Sequence, residues 1–504
     1  MAYSASASFR AALLCGTALL ALPLGARAQP APNARPLGGT VVAGSAAISH
    51  NATTTTITQS SQRAAIDWNS FDVGAQQGVR FQQPSANAVA LNRVTGPNPS
   101  QIAGHIDANG QVILINPDGV TFYRGAQVNA AGFVASAAGM SNRDFMAGRN
   151  AFTQPAHPGA RIVNAGTITV KQTGLAVLVA PQVANSGVIT AKLGHVVLAG
   201  ARTATLDLYG DGLVALDVTN RVTEAPGGAT ALVTNTGTIL AQGGSVQLTA
   251  RAADGLVQDL VDAGGRISTS ARGAPGGSVV LNGIGGNITV TGQLAARGTQ
   301  GGRIEVLPSG TATLARTARL DASGAAGGGT VAVGTTLARA SGGPAAAGAA
   351  RATATSVQSG ARIAADATRA GNGGHVAVLS SGTTVMNGTI SARGGAQGGN
   401  GGSVEASGNV LGFAGTIDVR APAGMSGSVL FDPATLYIGT VNSATITNPG
   451  SVSYALDSGG TDTVSASSLA GLTGSVTLQA TSLLEVTSSV SFSNPVSVTL
   501  QSGG

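Results

Sequence analysis

The sequence predicts an all-β solenoid, a parallel β-helix, and three observations lead there. Glycine supplies 75 of the 504 residues, about twice its ~7% share of an average protein, so the chain is either disordered or built from very many turns. Short β-branched runs lie between the glycines, and strands entered through turns read that way. The runs recur every twenty to thirty residues without a helical period, which marks a stack of repeated strand units.

Residues 1–28 stand apart from that pattern. Arg10 precedes the apolar run Ala11 to Leu24, and the triplet Ala26-Arg27-Ala28 stands just before Gln29. Charge, apolar core and small-residue site in that order make a secretory signal, cleaved between Ala28 and Gln29. The run is too short for a membrane span, which takes about 20 apolar residues. Cys15, the one cysteine, lies inside the signal. The mature chain therefore has no disulfide and no thiolate for a metal, which suits a chain that stays unfolded until it reaches its destination.

Charged residues make up 10% of the chain, far below the roughly 25% of an average soluble protein. Loss of Arg10 and Arg27 with the signal lowers the formal net charge from +6 to +4. Lys171 and Lys192 are the only lysines, and the remaining basic residues are scattered arginines. With no basic run and no basic patch interleaved with aromatics, nucleic acid is not an expected partner.

The repeat itself has two visible strands. Gly166-Thr167-Ile168-Thr169-Val170, Gly187-Val188-Ile189-Thr190, Gly237-Thr238-Ile239-Leu240 and Gly388-Thr389-Ile390-Ser391 represent the first. Gly174-Leu175-Ala176-Val177-Leu178, Gly194-His195-Val196-Val197-Leu198, Gly244-Ser245-Val246-Gln247-Leu248 and Gly374-His375-Val376-Ala377-Val378 represent the second. One such unit cannot bury its apolar side chains alone, so stacking should place Ile168, Ile189 and Ile239 in one internal column. Roughly fifteen coils about 4.8 Å apart give a rod about 70 Å long.

Asn164, Asn185 and Asn235 each precede a glycine by two residues. Turn chemistry is the favoured reading, since Asn tolerates and Gly prefers the left-handed conformation; a ladder of Asn side chains along the rod is the alternative. Trp68, Phe71, Phe81, Phe122, Tyr123 and Phe133 lie close together, whereas no aromatic occurs between Asp211 and Gly412. The front is thus a denser, more individual domain. Low-complexity sequence such as Ala338 to Ala352 is either loosely ordered or a spacer. The expected segments are a signal at 1–28, a front domain at 29–215, Gly-rich repeats at 216–430 and a further β-rich segment at 431–504. The last residues, Thr499 to Gly504, break off within strand-and-turn patterning, as a truncated chain or a short member of its class would.

The front carries a specific series of motifs. Ile66-Asp67-Trp68-Asn69-Ser70-Phe71-Asp72-Val73-Gly74 is followed by Ala90-Leu91-Asn92-Arg93-Val94, and then by Ile113-Leu114-Ile115-Asn116-Pro117-Asp118-Gly119. Gly125-Ala126-Gln127-Val128-Asn129 and Gly132-Phe133-Val134-Ala135-Ser136 complete it. This order resembles the N-terminal secretion domain of two-partner secretion exoproteins of the filamentous haemagglutinin and high-molecular-weight adhesin type. Further on, Gly427-Ser428-Val429-Leu430-Phe431-Asp432-Pro433 is similar to a segment that often closes the first β-helix stretch of such proteins. The resemblance implies a right-handed parallel β-helix with an N-terminal capping secretion domain. It also implies export through a dedicated outer-membrane β-barrel partner with periplasmic domains, outward threading of an unfolded chain, and folding outside the cell.

Asn92, Arg93, Asn116, Pro117, Asp118, Gly119, Gly125 and Asn129 are the secretion-motif residues that the resemblance carries. Asn116 to Gly119 stands where the family has Asn-Pro-Asn-Gly, and Asp118 is a mild departure because Asp and Asn favour the same turn. A second family tetrapeptide, Asn-Pro-Asn-Leu, is only partly matched by Pro97-Asn98-Pro99-Ser100, which favours the high-molecular-weight adhesin branch. Read from its residues alone, Asn116 to Gly119 is first a tight turn after the strand Gln111 to Ile115, and secondly a direct transporter contact.

Of the functions open to such a rod, adhesion to an unknown host or bacterial surface ligand is favoured. A toxin or contact-dependent inhibitor stem shares the same front end and is the alternative, with a polysaccharide-acting β-helix enzyme behind it. No catalytic, cofactor or metal site is expected. Asp207, Asp211, Asp217, Asp259 and Asp262 read as solvated loops, and His50, His105, His157, His195 and His375 lack metal spacing. His195 and His375 each open an equivalent strand, a structural position. Gly371-Asn372-Gly373-Gly374 and Gly399-Asn400-Gly401-Gly402 lack the Asp of a calcium-binding nonapeptide. The expected location is the cell surface or the medium, reached through the periplasm.

Overall fold

The computed structural model describes residues 29–206, 220–342, 351–439, 444–448, 451–454, 463–486 and 488–502. The predicted signal, Cys15, Ala28 and the acidic Asp207, Asp211 and Asp217 lie outside the described residues; Gln29, on the other side of the expected cleavage point, is exposed.

Alternating burial along each short strand sends every second side chain into a common interior, and three parallel sheets result. In chain order one turn of the coil contributes a strand to a first face, then a second, then a third. The coil that begins at Arg161–Asn164 continues through Thr167–Val170 and Leu175–Ala180, and the next repeats this with Gln182–Asn185, Val188–Ala191 and His195–Gly200. Among the described residues the first and second faces contain 14 strands each and the third contains 16. From Ser100–Ile102 to Ser428–Pro433 each return to the same sheet passes by way of the other two, the connection whose right hand follows from L-residue twist.

The repeat is therefore three strands and not two. Arg161–Asn164, Gln182–Asn185 and Ala231–Asn235 form the strand that the glycine-led pattern missed, because no glycine opens them and they run straight into Asn-x-Gly turns. The predicted column is present: Ile168 pairs with Ile189, Ile189 with Ile239 and Ile239 with Ile267, all fully buried. It continues through Leu294, Leu320, Ile363, Ile390 and Ile417. Burial of each such side chain contributes about 1.5–3 kcal/mol relative to exposure, an amount no isolated coil obtains.

The asparagines do more than turn the chain. Asn164 Nδ2 donates to Asn185 Oδ1 at 2.8 Å, and Asn185 Nδ2 donates to Asn235 Oδ1 at 2.7 Å, inside the rod. The ladder stops at the next coil, where Ala263 takes the position, followed by Val290 and Leu314. Asn185→Ala would strand Asn164 Nδ2 and Asn235 Oδ1 in a dry interior. We expect the adjoining coils to lose about 2–3 kcal/mol of protection, read by hydrogen exchange of first-face amides; unchanged exchange would count against a ladder that holds coils together.

Glycine abundance also finds its cause. At the corner between the second and third faces, Gly194, Gly244, Gly277, Gly302, Gly329, Gly374, Gly402 and Gly427 stack so closely that a Cβ on any of them would lie 1.9–2.1 Å from the preceding glycine's carbonyl oxygen. No side chain fits there. The Asn-containing glycine clusters lie at the same corner, where Asn372 Oδ1 accepts from Asn400 N at 2.8 Å and Asn400 Oδ1 from Met425 N at 3.0 Å.

The N-terminal end is blunted by antiparallel strands. Ala46–His50 pairs back on Thr54–Gln59, and Thr40–Ala43 lies antiparallel to Arg63–Trp68. Covering the first coil in this way protects an open sheet edge. Behind it, Trp68 meets Phe71 and Phe122 meets Phe133 edge to face, at 5.5 and 5.8 Å between ring centres, so the aromatic front is a dense core as its composition suggested. Lower down, the low-complexity segment begins as a helical turn, Leu337–Ala340, packed on Ala332, Ala377 and Leu379 and tied by Arg339 to Glu405 at 2.6 Å. Residues 343–350 lie outside the described residues.

Candidate functional site

The predicted motif residues gather in the first coils, where the chain leaves the helix once to cover its own third face. After Gly132–Ser136 it makes a helical turn, Asn142–Met146, capped by Ser141, and a short strand, Ala151–Phe152, antiparallel to Ala204–Thr205. Under this cover the outward residues of the third face are apolar: Leu91, Ile113, Val134, Val177 and Val197 pack with Met140, Phe145, Phe152 and Leu206. Asp144 in the helical turn is held below the usual carboxylate range by its bond with Ser141 and then by Arg149.

Arg93 is the clasp of this arrangement. Its Nε donates to Asp67 Oδ1 at 2.9 Å, Nη1 to the Met140 carbonyl at 3.1 Å and Nη2 to Asn142 Oδ1 at 2.9 Å. One planar fork thus joins two neighbouring strands to the cover. Arg63 supports it, donating to the Phe145 carbonyl at 3.0 Å with its guanidinium over the Phe145 ring. Asn92, next along the strand, faces inward and accepts from Trp68 Nε1 at 3.0 Å. Arg93→Lys keeps the charge but cannot span three partners. We expect a loss of about 1–2 kcal/mol and faster proteolysis within residues 141–156; an unchanged cleavage rate would contradict the clasp.

The tetrapeptide Asn116 to Gly119 turns the chain from the third face to the first. Asn116 is fully buried; its Nδ2 donates to the Asn98 carbonyl at 2.9 Å and to Ser100 Oγ at 3.0 Å, and its Oδ1 accepts from Asp118 N at 3.0 Å. Gly119 N closes the turn on the Asn116 carbonyl at 2.9 Å, and Gly119 itself has φ +103°. Pro117 and Asp118 are half-buried, and Asp118 Oδ1 is bonded to His157 Nδ1 at 2.8 Å. A buried, fully bonded turn of this kind shapes the domain first. Asn98 and Ser100, from the imperfect second tetrapeptide, are its hydrogen-bond partners.

Gly125 and Asn129 lie apart from that turn and are exposed. Gly125, with φ +94°, ends a tight turn before the second-face strand Gln127–Ala130, and Asn129 Nδ2 donates to Asp107 Oδ1 at 3.0 Å on the neighbouring strand. Around them the second face is uncovered and polar. Two shallow clefts open there, of about 520 and 300 Å³, and both are lined by Arg80 and Asp107; Asn129 and Lys171 line the larger, Thr54 and His105 the smaller. Sequence reasoning named Asn129 on this face but not Arg80, Asp107 or Lys171, which lie in separate coils. Asp72, beside the neighbouring turn, has its carboxyl raised by burial, against which a bond from Gln101 N acts.

The other ionisable candidates are dispersed along the rod. His195 and His375 occupy one column of the third face, as their equivalent strands suggested, and bond to Ser245 and Ser403 of the following coils, each at 2.6 Å. Burial lowers the His195 pKa. Asp259 and Asp262 sit on the strand Asp259–Ala263 instead of in a loop, their carboxyls raised by burial, and Asp259 accepts from Thr289 Oγ1 at 2.9 Å. Among the described residues no three His, Cys, Asp or Glu side chains are grouped to hold a metal ion, and no helix is long and apolar enough to cross a membrane.

Comparison with known proteins follows the same outline. Residues 34–273 match the model of the TPS secretion domain family. The fold is similar to the crystal structure of the HMW1 secretion domain from Haemophilus influenzae, with a TM-score of 0.60 and 27% identity, over 77% of this chain and 99% of that one. A heme/hemopexin-binding protein of Haemophilus influenzae strain Rd is 40% identical over 162 residues, 31% of this chain and 18% of that protein. A second Haemophilus influenzae protein of that name is 53% identical over 81 residues, 16% of this chain and 9% of its own length. The match thus spans less than a fifth of either relative.

Proposed function

We propose, because this chain is a two-partner secretion exoprotein with its TPS secretion domain at residues 34–273, that the exported rod is a surface adhesin and not an enzyme. A secretion domain of this family implies an outer-membrane transporter partner and delivery to the cell surface or the medium. The finer reading has three parts: the signal is removed between Ala28 and Gln29, the chain crosses the periplasm unfolded, and the first coils engage the transporter's periplasmic domains.

The observation that carries the recognition step is the asymmetry of the front domain. Its third face is sealed by the segment that Arg93 clasps, while the second face around Arg80, Asp107, Asn129 and Lys171 stays open and polar. The strands of this face are paired on both sides, so what it offers a partner is its row of outward polar side chains. Downstream, a stiff stack of coils holds its outer side chains at fixed intervals, the geometry of an extended binding surface. Against catalysis stand Asp259 and Asp262, which share one strand instead of facing each other across a cleft.

The names of the relatives offer heme or hemopexin as a second ligand class. Purified chain should bind host or sister cells without cleaving plant or bacterial polysaccharides. Cleavage, or a saturable heme spectrum without cell binding, would replace the adhesin reading.

A further inference from the structure

The arginines that look scattered in the sequence are stacked by the fold. On the second face Arg266 pairs with Gln293, Gln293 with Arg319, and Arg319 with Arg362, each at the first, outward position of its strand. Exposed Arg316 lies in the turn before this face and Arg297 in the corner after it. Asp321, the one carboxylate on these four strands, is engaged by Arg297 at 3.2 Å. Along the column the neighbours are neutral, Thr238 on one side and Thr389 on the other.

Like charges directly opposite one another destabilise a sheet, yet no acidic residue of the column relieves Arg319 and Arg362. The guanidinium groups of Arg266 and Arg362 make no hydrogen bond or ion pair among the described residues, although both backbone N–H groups are bonded. Arg319 is held from one side only: its Nη1 donates to the carbonyls of Arg316, Ala318 and Gly360 at 3.2, 2.8 and 2.9 Å. Nε and Nη2 are left for another acceptor. We propose that Arg266, Gln293, Arg319 and Arg362 form a binding stripe for a linear anionic polysaccharide lying along the rod.

Three physical points choose that ligand. Guanidinium forks match carboxylate and sulfate groups bidentately. Successive coils rise by about 4.8 Å, close to the length of one pyranose unit in an extended chain, so guanidiniums meet anionic groups in step. Nucleic acid is disfavoured because no aromatic residue lies between Asp211 and Gly412 to stack a base. The proposal goes beyond the adhesin reading by naming a ligand chemistry, and because it is tested on purified chain its failure leaves the export reading untouched.

The test measures binding of the full chain to polygalacturonate and to dextran sulfate, with neutral dextran and duplex DNA as controls, across a salt series. Preference between the two polyanions tells whether carboxylate or sulfate is the recognised group. Arg266→Gln with Arg362→Gln should weaken binding by roughly tenfold and flatten its salt dependence. Lys192→Gln with Arg303→Gln, which removes the same charge from outside the stripe, should leave it within about twofold. Arg266→Lys with Arg362→Lys should retain binding at low salt. Equal losses in both glutamine variants, complete loss in the lysine variant, DNA bound as tightly as either polysaccharide, or no binding of either would overturn the proposal.

Discussion

Asn116→Ala combined with Gly119→Ala should leave the chain in the periplasm instead of the medium. The Asn116 side chain supplies three hydrogen bonds in a fully buried position, so its removal strands the Asn98 carbonyl, Ser100 Oγ and Asp118 N–H. Such buried losses cost about 1–3 kcal/mol. At Gly119, φ is +103° and a Cβ would lie 2.2 Å from the Arg161 carbonyl oxygen, so even alanine must displace the backbone of the next coil. The two changes act on one turn and are coupled; together roughly 3–6 kcal/mol is expected, enough to unfold the front domain. The readout is the fraction of chain in medium, periplasm and cytoplasm. Normal secretion of the double variant would show that the turn serves neither folding nor recognition.

The second large effect is at the glycine ladder. Gly302→Ala would put a Cβ 2.1 Å from the Gly277 carbonyl oxygen and 2.7 Å from the Gly276 carbonyl carbon, both rigid backbone. Coil-to-coil distance must open, and with it the hydrogen bonds of two neighbouring strands. We expect about 3 kcal/mol or more. Gly273→Ala is the control: Gly273 has φ +73° but nothing within 4 Å of a built Cβ, so only the left-handed conformation is penalised, by about 1–2 kcal/mol. Urea unfolding followed by far-UV circular dichroism should separate the two. Equal midpoints would mean that turn geometry alone, and not close stacking of the coils, accounts for the glycines.

Much of this scaffold can be read from the chain, for a physical reason. A second-face strand such as Thr167–Val170 and a third-face strand such as Leu175–Ala180 each follow a glycine-marked corner, so apolar alternation and turn residue reinforce each other. First-face strands lack that mark. Arg161–Asn164 starts with a charge and ends in Asn, which alone reads as a turn approach although its Asn is buried in the ladder. The motif residues were legible as a set but not as parts: Asn92 and Arg93 are neighbours with opposite fates, one bonded to Trp68 in the core and the other clasping Asn142 outside. Local sequence does not say which neighbour a coil will supply. For the same reason Arg266, Arg319 and Arg362 look scattered, since irregular corner loops separate them and only the stack brings them into line.

We propose that the front domain is a ticket for one transporter. Full-length chain should therefore be produced in a heterologous Gram-negative host with and without the two-partner transporter of its own bacterium. The expected result is chain in the medium or on the surface only when the transporter is present, with retention in the periplasm when it is absent. Equal export in both hosts, or retention in both while a known substrate of the same transporter is released, would contradict it.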